Sequence, residues 1–518
     1  MKHTFVCVNV NYDTCTKEEL IASHQEQAWK IENLTHKLKD LERMIFGRKS
    51  ERFVSEVSVD QLRFVFSQGE EIAAPVSQEK EKQQISYTRQ KPEKKQHPVR
   101  QELPAHLTRE VIDLHPEGSD VGVEIGTPEV TEVLEYKPGK LHIIQYRRHK
   151  YKIPDAEGKE KIVTAELPGR GIDKGLAGPG LLSHVITDKY LDHTPLYRQS
   201  QQLAREQIYL PRSTLTGWIS QCYDLLQPLN TVLEREVTKS NYLQVDESSI
   251  RVLTKTKEKK AFKGCMQVYH AVHEHLVWFR YTRTKEQANL IDILKEFKGN
   301  LQVDGNVSYD EFKKMNNEKR VYPDITISHC MAHARRKFEQ ALDNDKERAS
   351  HVLTEIRKLY EIERIVRESS LNKEAIELFR KEQSAPILNE LKEWLEKEYE
   401  RVLPKSILGK GIAYTLKRWT GLSEYVNNGN LLIDNNLVEN AIRPLALGRK
   451  NYLFAGSHDG ARRAAMFYSF FGTCKVNGID AFWWLRDVLI RIPDHPINRV
   501  HELLPTKNYR FIHREEET

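Results

Sequence analysis

Two stretches of the chain repeat the sequence Leu-Gln-Val-Asp, and each places an acid, Asp246 or Asp304, in a run of strand-forming residues. A third acid, Glu439, follows much later, in a stretch whose apolar residues recur at helical spacing from Asn436 onward. Carboxylate oxygens held by strands and a packed helix are ligands that suit Mg²⁺. The three acids therefore predict a metal site for two-ion phosphodiester chemistry. Taken alone, an acid in such a position is more often an ordinary residue of a strand end or turn than a metal ligand.

The segments between these acids favour a mixed sheet flanked by helices. Residues Ala261–Ala271 and His275–Thr282 have the composition of strands, and Lys285–Phe297 repeats apolar residues at helical spacing. Three hairpin-connected strands, a helix and a further strand form the element order of a ribonuclease-H-like α/β core. We expect this catalytic core over residues 236–455, with a highly charged helical insertion at about 340–405.

The composition limits what kind of protein this is. Its 518 residues, 39% of them hydrophobic, are enough for several domains. The 80 Lys and Arg residues barely exceed the 74 acids, so contact with nucleic acid must come from local basic patches. The six cysteines show no short paired spacing, which argues against a disulfide framework. No apolar run reaches the roughly 18 residues of a membrane span, so we expect no membrane contact.

Outside the core, the sequence predicts several smaller modules in a multidomain α+β protein. The first is a helix with leucine and isoleucine at coiled-coil spacing, which suits either self-association or packing against its own chain. In chain order, the segments are a helical or coiled-coil region at 1–55, a charged linker at 56–105, a small β-rich module at 106–165, a helix-turn-helix-like region at 166–235, and C-terminal helices with a frayed tail at 456–518.

Basic and polar side chains in four stretches are candidates for DNA contact. They are Arg147, Arg148 and Lys150 in the β-rich module, Arg212, Ser213 and Thr214 in the helical region, His333, Arg335, Arg336 and Lys337 after the second acid, and Arg443, Arg449 and Lys450 after the third. The helix near Arg212 follows a tight turn, as a DNA-reading helix does, and Ser213 or Thr214 suits its N-cap. The basic strand at Tyr146–Lys152 suits either a DNA backbone or the solvated edge of a sheet.

In this order, the motifs resemble the catalytic blocks of the DDE transposases of the insertion sequence 66 family. The resembling blocks are QVDES at 244–248, QVDG at 302–305, CMAHARRKF at 330–338 and IDNNLVENAIRPLALGRKNYLFAGS at 433–457. The resemblance implies that Asp246, Asp304 and Glu439 are the catalytic and metal-binding triad. It also implies two Mg²⁺ ions as cofactors, with Mn²⁺ able to replace them, and double-stranded DNA, both element ends and target, as the substrate.

The family resemblance further implies a homo-oligomer on DNA, accessory proteins encoded beside the transposase, and a place at the nucleoid in the bacterial cytoplasm. A DNA-binding regulator that does not transpose, or a structure-specific nuclease, would suit the same architecture. One feature departs from the family, which usually carries a cysteine zinc module after the linker. No cysteine lies between Cys15 and Cys222, and the matching stretch offers only His115, His142 and His149, so we expect no zinc.

Overall fold

The computed structural model describes residues 103–513 with gaps, the longest at 254–260, 285–292 and 306–323. The predicted coiled coil, the linker and most of the helix predicted over 285–297 lie outside the described residues. The described residues belong to one compact unit that contains both helices and sheets, so the mixed α and β class is confirmed. No helix among them is long and apolar enough to span a bilayer.

The β-rich module consists of two three-stranded sheets. Its strands are β1 (Arg109–Leu114), β2 (Val123–Glu124), β3 (Glu129–Lys137), β4 (Lys140–Arg148), β5 (Lys150–Pro154) and β6 (Glu160–Thr164). The strand orders are β1-β4-β3 and β2-β5-β6. Arg147 and Arg148 therefore lie on the central strand of one sheet and Lys150 on the central strand of the other. The alternative of a solvated sheet edge for these residues is wrong, because each strand has a neighbour on both sides.

Three helices follow: α1 (Pro179–Tyr190), α2 (Leu196–Arg205) and α3 (Arg212–Thr238). Helix α3 begins after Pro211, whose extended backbone ends the preceding turn, and no side chain caps it. The predicted cap by Ser213 or Thr214 is wrong, because both residues already lie inside the first helical turn. The helix runs on to Thr238, because Leu229, Leu233 and Val237 extend its buried face.

Five strands form the central sheet: β7 (Tyr242–Val252), β8 (Phe262–Ala271), β9 (Leu276–Thr282), β10 (Gly299–Val303) and β11 (Ile325–His329). Their order is β11-β10-β7-β8-β9. Strands β7, β8 and β9 are antiparallel neighbours, whereas β10 pairs in parallel with both β7 and β11. The return of the chain to β7 places the two repeated motifs side by side, with Gln244 opposite Gln302.

The rest of the chain is helical. The helices are α4 (Met331–Ala341), α5 (Lys346–Glu368), α6 (Lys373–Arg401), α7 (Ile407–Lys417), α8 (Trp419–Ser423), α9 (Asn436–Tyr452), α10 (His458–Asn477) and α11 (Ala481–Arg491), with 3-10 turns at Glu424–Asn427 and Ile497–Leu503. Helices α5 and α6 form the predicted charged insertion. Their interface buries an ion pair in which the Arg380 guanidinium donates to both oxygens of Glu363, at 2.8 and 2.6 Å.

Two apolar cores hold these elements. One joins the β-rich module, helices α1 to α3, the central sheet and the C-terminal helices, and the other joins α4 to the insertion. The tail predicted to fray packs onto the first core as far as His513. The buried carboxylate of Asp487 accepts hydrogen bonds from the Tyr509 hydroxyl at 2.6 Å and from the Ile512 and His513 amides. A buried carboxylate needs such donors, which fixes the chain beyond α11.

Candidate active site

The two aspartates of the repeated motif lie at the same level on neighbouring strands of the central sheet. Asp246 lies within β7, and Asp304 directly follows β10. The strands are parallel and Gln244 pairs with Gln302, so each aspartate lies two residues beyond a matched position. Successive side chains alternate between the faces of a sheet, so both aspartates share the face of the two glutamines. The register alone brings the two carboxylates together.

Negative charge accumulates around Asp246. Burial is the main cause that raises the pKa of its carboxyl to about 8, and repulsion from Asp304 and, to a smaller extent, from Glu439 and Glu247 contributes to the same rise. The backbone amide of Glu247, which donates to Oδ1 of Asp246 at 2.7 Å, opposes this rise. The three predicted acids therefore interact electrostatically in the folded protein, and a bound cation would offset their repulsion.

Glu439 reaches this group from the first turn of α9 and faces two basic side chains. Its Oε1 lies 3.5 Å from Nε2 of His333, and its Oε2 lies 3.5 Å from the guanidinium of Arg336. Both distances are long for hydrogen bonds. Oε1 of Glu439 is buried and has no hydrogen-bond partner among the described residues. The glutamate is held mainly by charge, which leaves one oxygen available to a further ligand.

The oxygen donors suit a hard cation, but they do not yet converge on one. Within residues 103–513, as far as they are described, no three His, Cys, Asp or Glu side chains are placed to hold one metal ion. Glu439 instead faces His333 and Arg336. A shared ion at the two aspartates therefore requires the Glu439 side chain to turn away from α4.

A buried hydrogen-bond network joins the two aspartate strands to the segment that leads into α9. The Gln244 amide donates to Oε1 of Gln302 and to the carbonyl of Asp434, both at 2.9 Å. The Gln302 amide donates to the carbonyl of Leu432 at 2.7 Å. In return, the backbone amide of Val438, next to Glu439, donates to Oε1 of Gln244 at 3.3 Å. We call Gln244, Gln302 and their partners the glutamine clasp.

The Tyr242 hydroxyl completes the glutamine clasp. It donates to Oε1 of Gln302 at 2.6 Å and accepts from the Leu432 amide at 3.2 Å. Sequence reasoning treated the two glutamines only as part of a repeat and missed their role. The signal was present, because each glutamine lies two residues before an aspartate and so on the same face of the sheet.

The chain after Asp304 is fixed by two side chains that follow the insertion, one in α7 and one directly after it. Sequence reasoning also missed both of them. The Tyr414 hydroxyl donates to the Asp304 carbonyl at 2.6 Å, and the Arg418 guanidinium donates to the Gly305 carbonyl at 2.6 Å. Gly305 has a φ of +86°, and a Cβ there would lie 2.4 Å from Nε of Arg418. Glycine is therefore required at this close approach. Helix α7 and the residue after it thus help to place the second aspartate.

The candidate DNA contacts on α4 divide into two pairs. His333 and Arg336 face Glu439, as described above. Burial lowers the pKa of His333, while Glu439 opposes this shift. Arg335 pairs with Glu339 at 3.0 Å on the same helix. Lys337 lies 5.7 Å from the centre of the Tyr414 ring. Only His333 and Arg336 therefore join the acids.

The candidates on α9 differ in exposure. Arg443 and Lys450 are exposed, whereas Arg449 is half-buried and its guanidinium donates to the Ser249 carbonyl of β7. Burial lowers the pKa of Arg449. The structure therefore gives Arg449 a contact that ties α9 to β7, and it leaves Arg443 and Lys450 facing solvent.

The remaining candidates lie on elements apart from the acids. Arg212 and Ser213 are exposed and Thr214 is half-buried at the start of α3, and the Arg212 guanidinium lies 5.8 Å from the centre of the Tyr197 ring. In the β-rich module, Arg148 pairs with Glu129 at 2.8 Å, and Lys150 lies 3.9 Å from the same carboxylate. Arg147 donates to the side chain of Gln145 at 3.1 Å.

Three family models match the chain. The model described as the transposase IS66 family matches residues 174–463, which include all three acids. The IS66 C-terminal element matches residues 469–506, and a model described as transposase C of IS166 homeodomain matches residues 33–112. The first of these alone covers more than half of the chain.

Similar full-length proteins come from Sinorhizobium fredii. The uncharacterized protein y4hP is 31% identical over 507 residues, which cover 90% of this chain and 87% of that protein. The uncharacterized protein y4qI is 31% identical over 489 residues, which cover 92% of this chain and 89% of that protein.

The raised pKa of Asp246 predicts a pH-dependent stability of the metal-free protein. The folded-state pKa of about 8 exceeds the ordinary value of 3.8, so folding favours the protonated carboxyl. The resulting stability is full at low pH and is lost as pH rises through about 8. We expect Asp246→Asn, which cannot ionise, to raise the melting temperature in EDTA by a few degrees near pH 9 and by much less near pH 5.

The control is Asp459→Asn, which removes an exposed carboxylate paired with Arg462. For this variant, the difference in melting temperature from the wild type should not increase with rising pH. Melting curves of the three proteins across this pH range test the expectation. A gain for Asp246→Asn that is constant with pH would contradict it.

Proposed function

The chain belongs to the IS66 family of transposases, and from that premise we propose that it cleaves and joins DNA strands at Asp246, Asp304 and Glu439. The observation that carries this proposal is the strand register, which places Asp246 and Asp304 on one face of the sheet. Glu439 lies close enough that its charge and that of Asp304 add to the effect of burial on the pKa of Asp246. Acids that repel one another in a partly buried site need a function that compensates for the cost. Binding cations during phosphodiester chemistry is such a function.

The strand arrangement supports a ribonuclease-H-like core. Three antiparallel strands, β7 to β9, are extended on the β7 side by two parallel strands, β10 and β11. This order brings the end of β10 beside the middle of β7. The first two acids of a DDE triad occupy those positions in such a core. A helix that packs across the sheet, here α9, supplies the third.

The chain's own residues have separable tasks at this site. Two Mg²⁺ ions, or Mn²⁺ in their place, supply activation of the attacking oxygen and stabilisation of the leaving oxygen when bound. Asp246 and Asp304 would hold these ions. Glu439 would become a third ligand once its side chain turns away from His333 and Arg336 of α4. His333 and Arg336 would then be released to contact a DNA phosphate, which would replace the Glu439 carboxylate as their charged partner.

Exposed basic residues elsewhere would hold the DNA. Arg443 and Lys450 on α9 are exposed and lie on the helix that carries Glu439. Arg335, Lys337 and Arg449 have protein partners and would contribute mainly to local charge, as would Arg147, Arg148 and Lys150. We further propose that the protein acts as a homo-oligomer on DNA, at the nucleoid, with accessory proteins of its element.

A DNA-binding regulator without cleavage is the second candidate. The specific observation in its favour is the contact of Glu439 with His333 and Arg336, which would neutralise the third acid permanently. A structure-specific nuclease would need the same acids but no strand joining. The cleavage and joining assays below separate the three possibilities.

We expect Asp246→Asn, Asp304→Asn and Glu439→Gln each to reduce Mg²⁺-dependent cleavage by at least about a thousandfold, because each removes a metal ligand. Binding of the same DNA in EDTA should stay within about threefold of wild type. Labelled duplexes carrying the element ends, with product strands resolved by size, provide the measurement. A matched control is Glu247→Gln, whose side chain contacts Gln267 of β8 at 3.4 Å.

The results of the cleavage and joining assays distinguish a transposase, a nuclease and a DNA-binding regulator. Cleavage by the wild type and Glu247→Gln but not by the triad variants supports the proposal. Products joined to a second duplex identify a transposase, whereas cut ends alone identify a nuclease. DNA binding without any cleavage by the wild type identifies a regulator and refutes the proposed chemistry.

The start of α3 is proposed as the DNA-reading end of a helix-turn-helix. Arg212 and Ser213 are exposed there, after the extended turn at Pro211. We expect the pair of changes Arg212→Ala and Ser213→Ala to weaken binding to element ends about tenfold or more, and to random duplexes much less. Competition binding with the two duplexes measures this difference. Equal losses on both would indicate that these residues only contact phosphates.

We also propose that the chain needs no structural zinc, in contrast to the usual pattern of its family. His115 and His149 stack with ring centres 4.7 Å apart, and their nitrogens approach the Tyr151 hydroxyl at 2.6 Å and Asp113 at 3.3 Å. These contacts give both rings protein partners. Elemental analysis should find far less than one zinc per chain, and a zinc chelator should leave the melting temperature unchanged. About one zinc per chain would refute this.

A further inference from the structure

The segment between α9 and α10 holds two large apolar side chains in solvent. Leu453 is 61% exposed and Phe454 is 42% exposed. Leu453 has φ 62° and ψ −37°, and the Phe454 amide donates to the Tyr452 carbonyl at 2.7 Å. This is the uncommon γ-turn with positive φ, which strains any residue that has a Cβ. A strained backbone thus places Leu453 at the apex of a projecting turn.

Contacts on both sides hold this turn in place. The Ala455 amide donates to the Arg251 carbonyl at 2.8 Å, and the Leu253 amide donates to the Ala455 carbonyl at 2.9 Å. Leu253 is itself 42% exposed, so a third apolar side chain adjoins the turn. We call Leu453, Phe454 and Leu253 the apolar tip. Because backbone bonds to β7 fix its base, the apolar tip is held outward by the sheet.

The surface beside the apolar tip is basic. Arg251 precedes Leu253 by two residues and Lys450 precedes Leu453 by three, and both side chains are exposed. Asp459 is the single acid between residues 440 and 463, and it is paired with Arg462 at 2.5 Å. A basic surface around apolar side chains complements a polyanion with aromatic bases inside it, which is the chemistry of DNA. A second copy of the same surface would bring like charges together.

The apolar tip also has a defined distance from the candidate active site. Strand β7 runs from Asp246 to its end at Val252, and α9 runs from Glu439 to its end at Tyr452. At the standard rise of each element, both paths measure about 20 Å. A duplex advances about 3.4 Å per base pair, so 20 Å corresponds to roughly six base pairs.

We propose that the apolar tip is a DNA wedge that packs against unstacked bases about six base pairs from the phosphate held at the three acids. Leu and Phe are side chains that proteins insert between base steps. Stacking against an aromatic ring stabilises an unpaired base, and the strained turn holds the wedge extended before DNA arrives. This inference rests on the proposed function for the position of the cleaved phosphate.

The test uses two duplexes with the element's terminal sequence, in EDTA to prevent cleavage. One is fully paired, and the other has a two-base mismatch about six base pairs from the element end. We expect the wild type to bind the mismatched duplex about tenfold more tightly, since the unstacking is already done. The double variant Leu453→Gly, Phe454→Ala should lose this preference and keep its affinity for the paired duplex. Glycine adopts the γ-turn without strain, which protects the fold.

The matched control is Leu378→Ala on α6, where an equally exposed leucine, at 59%, lies far along the chain in the insertion. It should retain the preference. Equal wild-type affinity for the two duplexes, or an intact preference in the double variant, overturns the wedge. Loss of self-association in the double variant with the preference intact overturns it as well, because the tip then contacts another copy. Failure of the wild type to bind either duplex refutes the proposed function instead.

Discussion

The hydrogen bond between Gln244 and Gln302 is the contact on which the candidate site depends. It joins the two strands that carry the aspartates, and the same amides bind the carbonyls of Leu432 and Asp434. Both glutamines are buried, so any shift in register would leave their amides without partners and without water. The cost of such unsatisfied groups, about 1–3 kcal/mol each, selects one register. That register sets where Asp246 and Asp304 meet and where the chain enters α9.

The same clasp brings the carboxylates of Asp246 and Asp304 together, so the site carries an excess of negative charge that a bound cation would offset. The pKa of Asp246 is raised mainly by burial and then by Asp304, while Glu439 turns to His333 and Arg336. Two changes of partner would together balance the charges of the site. A cation bound at the aspartates would attract Glu439, and a DNA phosphate would pair with the two basic side chains of α4 that Glu439 releases. Each change lowers the cost of the other. Metal and DNA should therefore bind cooperatively at this site.

The sequence predicted those features that depend on local pattern. Strand-like composition predicted β8 and β9, and the helical spacing of apolar residues predicted the insertion and α9. The sequence did not predict the features that depend on contacts between segments far apart in the chain. For Arg148 the sequence left a DNA contact and a solvated sheet edge open, and β1 and β3 on both sides of its strand exclude the edge. The extended backbone of Pro211, not a serine, begins α3. Tyr414 and Arg418 could not be linked to Asp304, because more than a hundred residues separate them in the chain.

Helix α9 turns these local contacts into a fixed geometry. Glu439 lies in its first turn, Arg449 near its end donates to the Ser249 carbonyl of β7, and Leu453 directly follows it. The helix is thus attached to β7 at both ends, through the glutamine clasp and through Arg449. Because the rise per residue of a helix is fixed, a helix attached at two points sets the distance between the groups at its two ends, here Glu439 and the apolar tip. If DNA spans both ends, the number of base pairs between cleavage and the apolar tip is determined jointly by the length of α9 and by the stretch of β7 to which both ends of the helix are attached.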